Sequence, residues 1–157
     1  FASRVEVLHG TLDDIAEGQQ FDTIIYIDVM EHIEDDNTEF GKAVGRLRKG
    51  GNLIILVPAF NFLYNDFDKR IGHFRRYDKR MLKRLAAESP LKCIKLSYYD
   101  SLGFFASVMN KLILKKPIPS PGNIKMWDNF IIPLSKLFDP LVMRSFGKSL
   151  IGVWRKE

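Results

Sequence analysis

Hydrophobic positions along the chain switch between two periods. Arg4–Leu8 (RVEVL) alternates apolar and polar residues and predicts a short strand. Thr23–Val29 is a run rich in β-branched residues, the mark of a strand covered on both faces. Asp35-Asp36-Asn37 then offers capping side chains and negative charge, both suited to a helix start. Phe40, Val44 and Leu47 follow at i, i+4 and i+7, with Ala43 on the same face. This helix is expected to carry Arg48-Lys49 in its last turn and to stop at Gly50-Gly51. Leu53–Val57 is a second apolar strand, closed by Pro58. Asp78 should cap a helix over Lys79–Glu88, striped by Met81, Leu82, Leu85 and Ala86 and broken at Ser89-Pro90. Leu91–Tyr98 and Ser149–Trp154 read as further strands. The alternation of strand and helix predicts an α/β fold on a parallel sheet covered by helices.

The rhythm breaks between Gly103 and Gly147. Phe104, Phe105, Val108, Met109, Leu112 and Ile113 can stripe a helix, followed by a turn at Pro117, Pro119 and Pro121. A second apolar stretch runs from Trp127 to Phe146. A helical insertion or lid over 103–147, within one domain spanning 1–157, is expected. Two readings stay open: a lid packed on the sheet edge, which we prefer, or an amphipathic surface near Lys111, Lys115 and Lys116 that touches lipid.

Composition narrows the class. With 46% hydrophobic residues the chain can bury a core, which excludes a disordered chain. The single cysteine, Cys93, excludes a disulfide framework and any cysteine-based zinc site. No signal-peptide pattern opens the chain, so a reducing cytoplasmic setting is the default, extended to the inner face of the membrane if the amphipathic reading holds. The net charge of +5 conceals segregation. Ten acids and no Lys or Arg lie between Asp13 and Glu39, whereas eight bases and one acid lie between Lys69 and Arg84. That basic run raises a second function class, nucleic-acid binding or RNA methylation; no RNA-binding motif accompanies it, and no nucleic acid is expected as a partner. A non-catalytic α/β interaction protein is the third class.

Four segments in order carry a family resemblance. Phe21-Asp22-Thr23-Ile24-Ile25-Tyr26-Ile27-Asp28-Val29-Met30-Glu31-His32-Ile33 resembles the fourth strand and following turn of class I S-adenosylmethionine (SAM)-dependent methyltransferases. Leu47-Arg48-Lys49-Gly50-Gly51-Asn52-Leu53 resembles their bend into the fifth strand. Gly72-His73-Phe74-Arg75-Arg76-Tyr77 and Phe146-Gly147-Lys148-Ser149-Leu150-Ile151 resemble signatures of a bacterial subgroup linked with surface-polysaccharide or lipid-linked sugar pathways. The family's first two strands and glycine-rich loop have no counterpart; eleven glycines include no G-x-G. The chain therefore reads as the C-terminal two-thirds of a Rossmann-like methyltransferase domain, expected to bind SAM weakly or not at all by itself and not to be active alone. Loss of those strands would leave an exposed strand edge open to a second copy of the chain.

The resemblance implies site residues. Thr11, Leu12 and Asp13, after the third strand, would hold the adenine; Asp28, Val29 and Met30 would line the cofactor at the end of the fourth. His32 and His73 are candidate catalytic groups, His32 as a general base because imidazole titrates near neutrality, and Tyr77 joins them. His32 could instead be a structural or substrate-positioning residue that satisfies a loop carbonyl, the reading we prefer. Arg75 and Arg76 offer forked, permanent charge for a phosphate or diphosphate acceptor, with Tyr64 beside them. The same arginines could instead staple the acidic Asp13–Glu39 region. Asp28-x-x-Glu31-His32 also resembles the E-x-x-E-H of some metal-dependent O-methyltransferases, with His73 as a remote ligand, but no metal is assigned. Phe60, Phe62, Tyr64 and Phe67 are either an acceptor wall or core. The expected reaction is O-methylation of a small or lipid-linked sugar acceptor, with SAM as cofactor.

Overall fold

A computed structural model describes residues 5–114 and 125–157. Four strands form one mixed sheet in the order β1-β2-β4-β3: β1 (Phe21–Ile27), β2 (Leu47–Pro58), β3 (Leu91–Tyr99) and β4 (Ser149–Lys156). Helices are α1 (Asp36–Gly45), α2 (Asp66–Arg70), α3 (Lys79–Ala86), α4 (Ser101–Met109) and α5 (Ile132–Phe138). This is the expected α/β fold. Capping is as the sequence requires: Asp35 accepts from Thr38 N at 3.0 Å and Asp78 from Met81 N at 2.8 Å.

The sheet is not all parallel. β1 and β2 run parallel, but β4 is antiparallel to both β2 and β3. The reason is the helical segment between β3 and β4. It leaves from Asp100 and returns beside it, Lys148 N donating to the Asp100 carbonyl at 3.0 Å. A connection that ends where it began obliges the next strand to run back.

Two further expectations are corrected. Val5–Leu8 forms no strand among the described residues; Val7 is 89% exposed, and a lone alternating segment has no ladder to take up its backbone groups. The first helix stops at Gly45 rather than beyond Lys49. Phe21 N already takes the Arg46 carbonyl at 2.8 Å, drawing the chain into β2, and Arg48 pairs with Asp22 across the strands. Gly50, at φ +79°, absorbs the irregular register there.

The two faces of the sheet differ. Tyr26, Leu53, Ile55, Val57, Leu150 and Trp154 are buried on the face packed by α1 and α3, with Phe40 edge-on to Trp154 at 6.1 Å. On the other face Ile25 and Ile27 are 56% and 58% exposed. β1 is an edge strand, paired on one side only among the described residues. In the Gly103–Gly147 region, α4 runs into a wider turn at Asn110–Leu114, and a similar turn at Trp127–Ile131 leads into α5. The turn at Pro117, Pro119 and Pro121, with Lys115 and Lys116, lies outside the described residues, as does Arg4. No helix among the described residues is long and apolar enough to cross a membrane.

Candidate functional site at the carboxyl ends of the strands

Because β1, β2 and β3 are mutually parallel, their carboxyl ends share one edge, the place where open α/β sheets bind ligands. Backbone strain collects there. Asp28 (φ 50°) and Asp100 (φ 63°) follow the ends of β1 and β3 directly, and Phe60 (φ 62°) lies two residues past the end of β2, all in the left-handed region that side chains disfavour.

Between the first two strand ends lies a charged cluster. Glu31 and His32 sit in the tight turn Met30–His32 after β1. Asn65 caps α2 through Phe67 N and Asp68 N, which fixes Asp68 in its first turn. Asp68 Oδ1 is 2.9 Å from His73 Nδ1, and the Arg76 guanidinium donates to the same carboxylate at 3.0 Å and 2.9 Å. The far side of the His73 ring faces Glu31, Nε2 to Oε1 3.8 Å, and the His32 ring meets His73 edge-on at 4.6 Å. Backbone ties hold the two loops together: Phe74 N donates to the Glu31 carbonyl at 2.7 Å, and the Tyr64 hydroxyl to the His73 carbonyl at 2.6 Å.

Burial governs the titration of these groups. Glu31 is 1% exposed, and neither carboxylate oxygen accepts a hydrogen bond from another described residue. Desolvation pushes its pKa up to about 7, with Asp28 and Asp68 adding repulsion. Burial likewise holds His73 below its ordinary value, opposed by Asp68. Lys148, on the same edge, is lowered for the same reason.

The residues expected at the site fall into three groups. His32, His73, Asp28 and Val29 stand at this edge, His32, Asp28 and Val29 exposed, with Met30 buried behind them. Tyr77, Arg75 and Arg76 are committed internally. The Tyr77 hydroxyl bonds Asp36 Oδ2 at 2.8 Å and the Met30 carbonyl at 3.0 Å. Burial and Asp36 push its pKa far up. Arg75 pairs with Asp36 at 2.8 Å and donates to the Glu34 carbonyl at 2.6 Å. Arg75 thus matches the staple reading, whereas Arg76 staples to Asp68, outside the acidic region. Thr11, Leu12 and Asp13 are not gathered with Asp28–Met30. Thr11 caps the turn Leu12–Asp14, and Asp13 pairs with Lys42 in the last turn of α1. The Asp28–Met30 turn instead adjoins Asp36 at the other end of that helix, roughly 9 Å of helical rise from Lys42.

Along the rest of the edge, aromatic rings build a wall. Phe60 stacks on Tyr98 at 4.6 Å and meets Phe104 at 5.2 Å; Phe104 also touches Phe62, Phe105 and Phe146. Sequence reasoning missed Asp68, Asp36 and Asp139. The signal for Asp68 was present as the Asn65-x-x-Asp68 capping box. Asp139, buried, accepts from Asp100 N and Ser101 N at 2.9 Å each, a long-range cap that no local pattern announces.

No family model matches the chain. No curated protein is significantly similar to it in sequence. Solved structures do match. A Bacillus halodurans protein assigned as a methyltransferase is 15% identical with a TM-score of 0.59, over 98% of this chain and 72% of that one. A SAM-dependent methyltransferase from Archaeoglobus fulgidus is 13% identical with a TM-score of 0.53, over 88% of this chain and 60% of that one. The N-methyltransferase NodS of Bradyrhizobium japonicum, solved with S-adenosyl-L-homocysteine, is 13% identical with a TM-score of 0.50, over 94% and 52%. The chain has the Rossmann-like fold of the class I SAM-dependent methyltransferases, and spans between 52% and 72% of the length of these three.

Proposed function

We propose that this protein transfers a methyl group from SAM to an oxygen of a small or lipid-linked sugar acceptor. The observation that carries the reading is the acid–imidazole cluster on the strand-end edge of a methyltransferase-like sheet. The cofactor, when bound, supplies an electrophilic methyl group on a sulfonium. Asp28 and Val29, exposed on the strained turn after β1, would face it, and their carboxylate and apolar surface fit a cationic thioether. Met30 supports that turn from the core. His32, exposed beside His73, would take the acceptor hydroxyl proton as it is displaced. Phe60, Phe62 and Phe104 would exclude water and seat the acceptor.

A lipid-linked acceptor is supported by the surface of the helical segment. Leu112, Ile113 and Leu137 are exposed there, Leu137 at 70%, so peripheral contact with the inner face of a membrane belongs to the same reading. The outer edge of β1, unpaired among the described residues and with Ile25 and Ile27 exposed, supports pairing with a second copy of the chain. Against nucleic acid, two of the eight bases in the Lys69–Arg84 run, Arg75 and Arg76, are spent on internal pairs.

Thermal unfolding with S-adenosyl-L-homocysteine tests the cofactor half of this reading. The chain has no G-x-G, so affinity should be modest, yet ligand at about fifty times Kd should stabilise by about 2 kcal/mol. Asp28→Asn should reduce that shift. No shift at saturating concentrations would overturn the assignment.

A further inference from the structure

The geometry points to a divalent transition-metal site formed by Glu31, His32 and His73. One ligand atom from each lies within 4.8 Å of the other two, and no other group of three such residues does so among the described residues.

Three features of the cluster are those of a ligand set rather than of an ordinary buried pair. First, the Glu31 carboxylate is sealed from solvent, yet neither oxygen accepts a hydrogen bond from another described residue. A buried carboxylate left without a partner is costly, and a cation is the direct compensation. Second, His73 is oriented from behind. Its Nδ1 lies 2.9 Å from Asp68 Oδ1, and Arg76 pins that carboxylate in turn, so Nε2 is presented toward Glu31. A carboxylate bound to the outer ring nitrogen is how metal-ligating histidines are held. Third, the gap from His73 Nε2 to Glu31 Oε1 is 3.8 Å. That is too long for a hydrogen bond. Two ligands sharing one ion through bonds of about 2.1 Å stand roughly 3–4 Å apart. His32, exposed and edge-on to His73, closes the site from the solvent side and can adjust its rotamer at little cost.

Two imidazoles and one carboxylate select the ion. Magnesium and calcium prefer all-oxygen shells, whereas nitrogen-rich sets suit zinc, cobalt and iron(II). With three protein ligands, one position stays open toward solvent for a water or an acceptor oxygen. The site shares His32 with the methyl-transfer reading, since an imidazole nitrogen bound to an ion no longer takes up the acceptor proton; the binding test reads the ion by itself and so fails or succeeds apart from that reading.

The test is a titration of the chelator-stripped chain with zinc, followed by calorimetry, and with cobalt(II), followed by its visible spectrum. Saturable binding of a single ion, a rise in unfolding temperature, and nitrogen-coordinated cobalt bands are expected. Glu31→Gln and His73→Ala should abolish the cobalt spectrum. His32→Ala, a change at an exposed side chain, removes a ligand and should weaken binding by more than the roughly tenfold to hundredfold lost when a metal site loses only a partner that orients a ligand. His9→Ala and Cys93→Ser, which alter the remaining histidine and the exposed cysteine, should change nothing. Absence of saturable binding, or binding that survives Glu31→Gln, or binding lost in Cys93→Ser, would overturn the assignment and leave a proton as the partner of Glu31.

Discussion

At the ends of β1 and β2 the sheet edge carries interlocked charges, whereas from the end of β2 to α4 the same edge is walled by aromatic rings. Around Asp68 the His73 ring and the Arg76 guanidinium are each held by the one carboxylate, while the buried Glu31 carboxylate beside them accepts no hydrogen bond from another described residue, so movement of one side chain leaves a buried charge in apolar surroundings. Around Phe104 the contacts are ring to ring at 5.2–6.1 Å, tolerant of angle and distance. The charged half suits chemistry that needs groups held to a fraction of an ångström. The aromatic half suits an occupant whose shape varies. One edge thereby divides rigidity from accommodation.

The division breaks most severely at Asp68. Asp68→Ala strands the buried Arg76 guanidinium and frees the His73 ring, and should cost about 3–5 kcal/mol in urea unfolding. The next effect is pH-dependent. With its pKa raised to about 7, Glu31 keeps its proton in the folded chain while the unfolded chain has already lost it, so metal-free stability should fall as pH rises from about 4.5 to 7. The total loss should be about 3 kcal/mol over that window. Glu31→Gln should flatten it, and denaturation at several pH values in the presence of chelator reads the difference. Phe104→Ala should cost about 2 kcal/mol, because the ring is half-buried and its neighbours can close in. It should leave the pH profile unchanged, which separates the two halves. Smallest is Leu137→Asp, within about 0.5 kcal/mol of the parent in stability, since the side chain is exposed. Its readout is sedimentation with anionic vesicles, where binding should drop; unchanged sedimentation would argue that the apolar helices serve another purpose.

Local physics made much of this legible in advance. The caps at Asp35 and Asp78 and the apolar runs of β1 and β2 follow from neighbours in sequence, while the Glu31-His32 turn was legible through the family resemblance. What escaped was set by distance. The direction of β4 depends on where the helical segment returns, a matter of Lys148 meeting Asp100 and not of any periodicity. The end of α1 was misplaced because Arg48-Lys49-Gly50-Gly51 has the composition of a helix terminus, while β1 claims the Arg46 carbonyl first. Arg75 and Arg76 sit next to each other in sequence, but they serve different carboxylates, Asp36 and Asp68, separated by thirty-two positions. Thr11–Asp13 carries the right residue types for a ligand turn, yet Thr11 is spent capping its own turn and Asp13 on Lys42 in the last turn of α1.

β2 is flanked by β1 on one side and β4 on the other, and the backbone just beyond it stays anchored, Ala59 N to Lys148 and Phe60 N to Tyr77, each at 2.8 Å. In deuterium exchange its amides should be the last to label, and those of the helices between β3 and β4 among the first. The loop that follows β2 would therefore keep its shape through local openings that loosen the ring-lined side. A bulky molecule could enter by transient breathing there without disturbing the histidines.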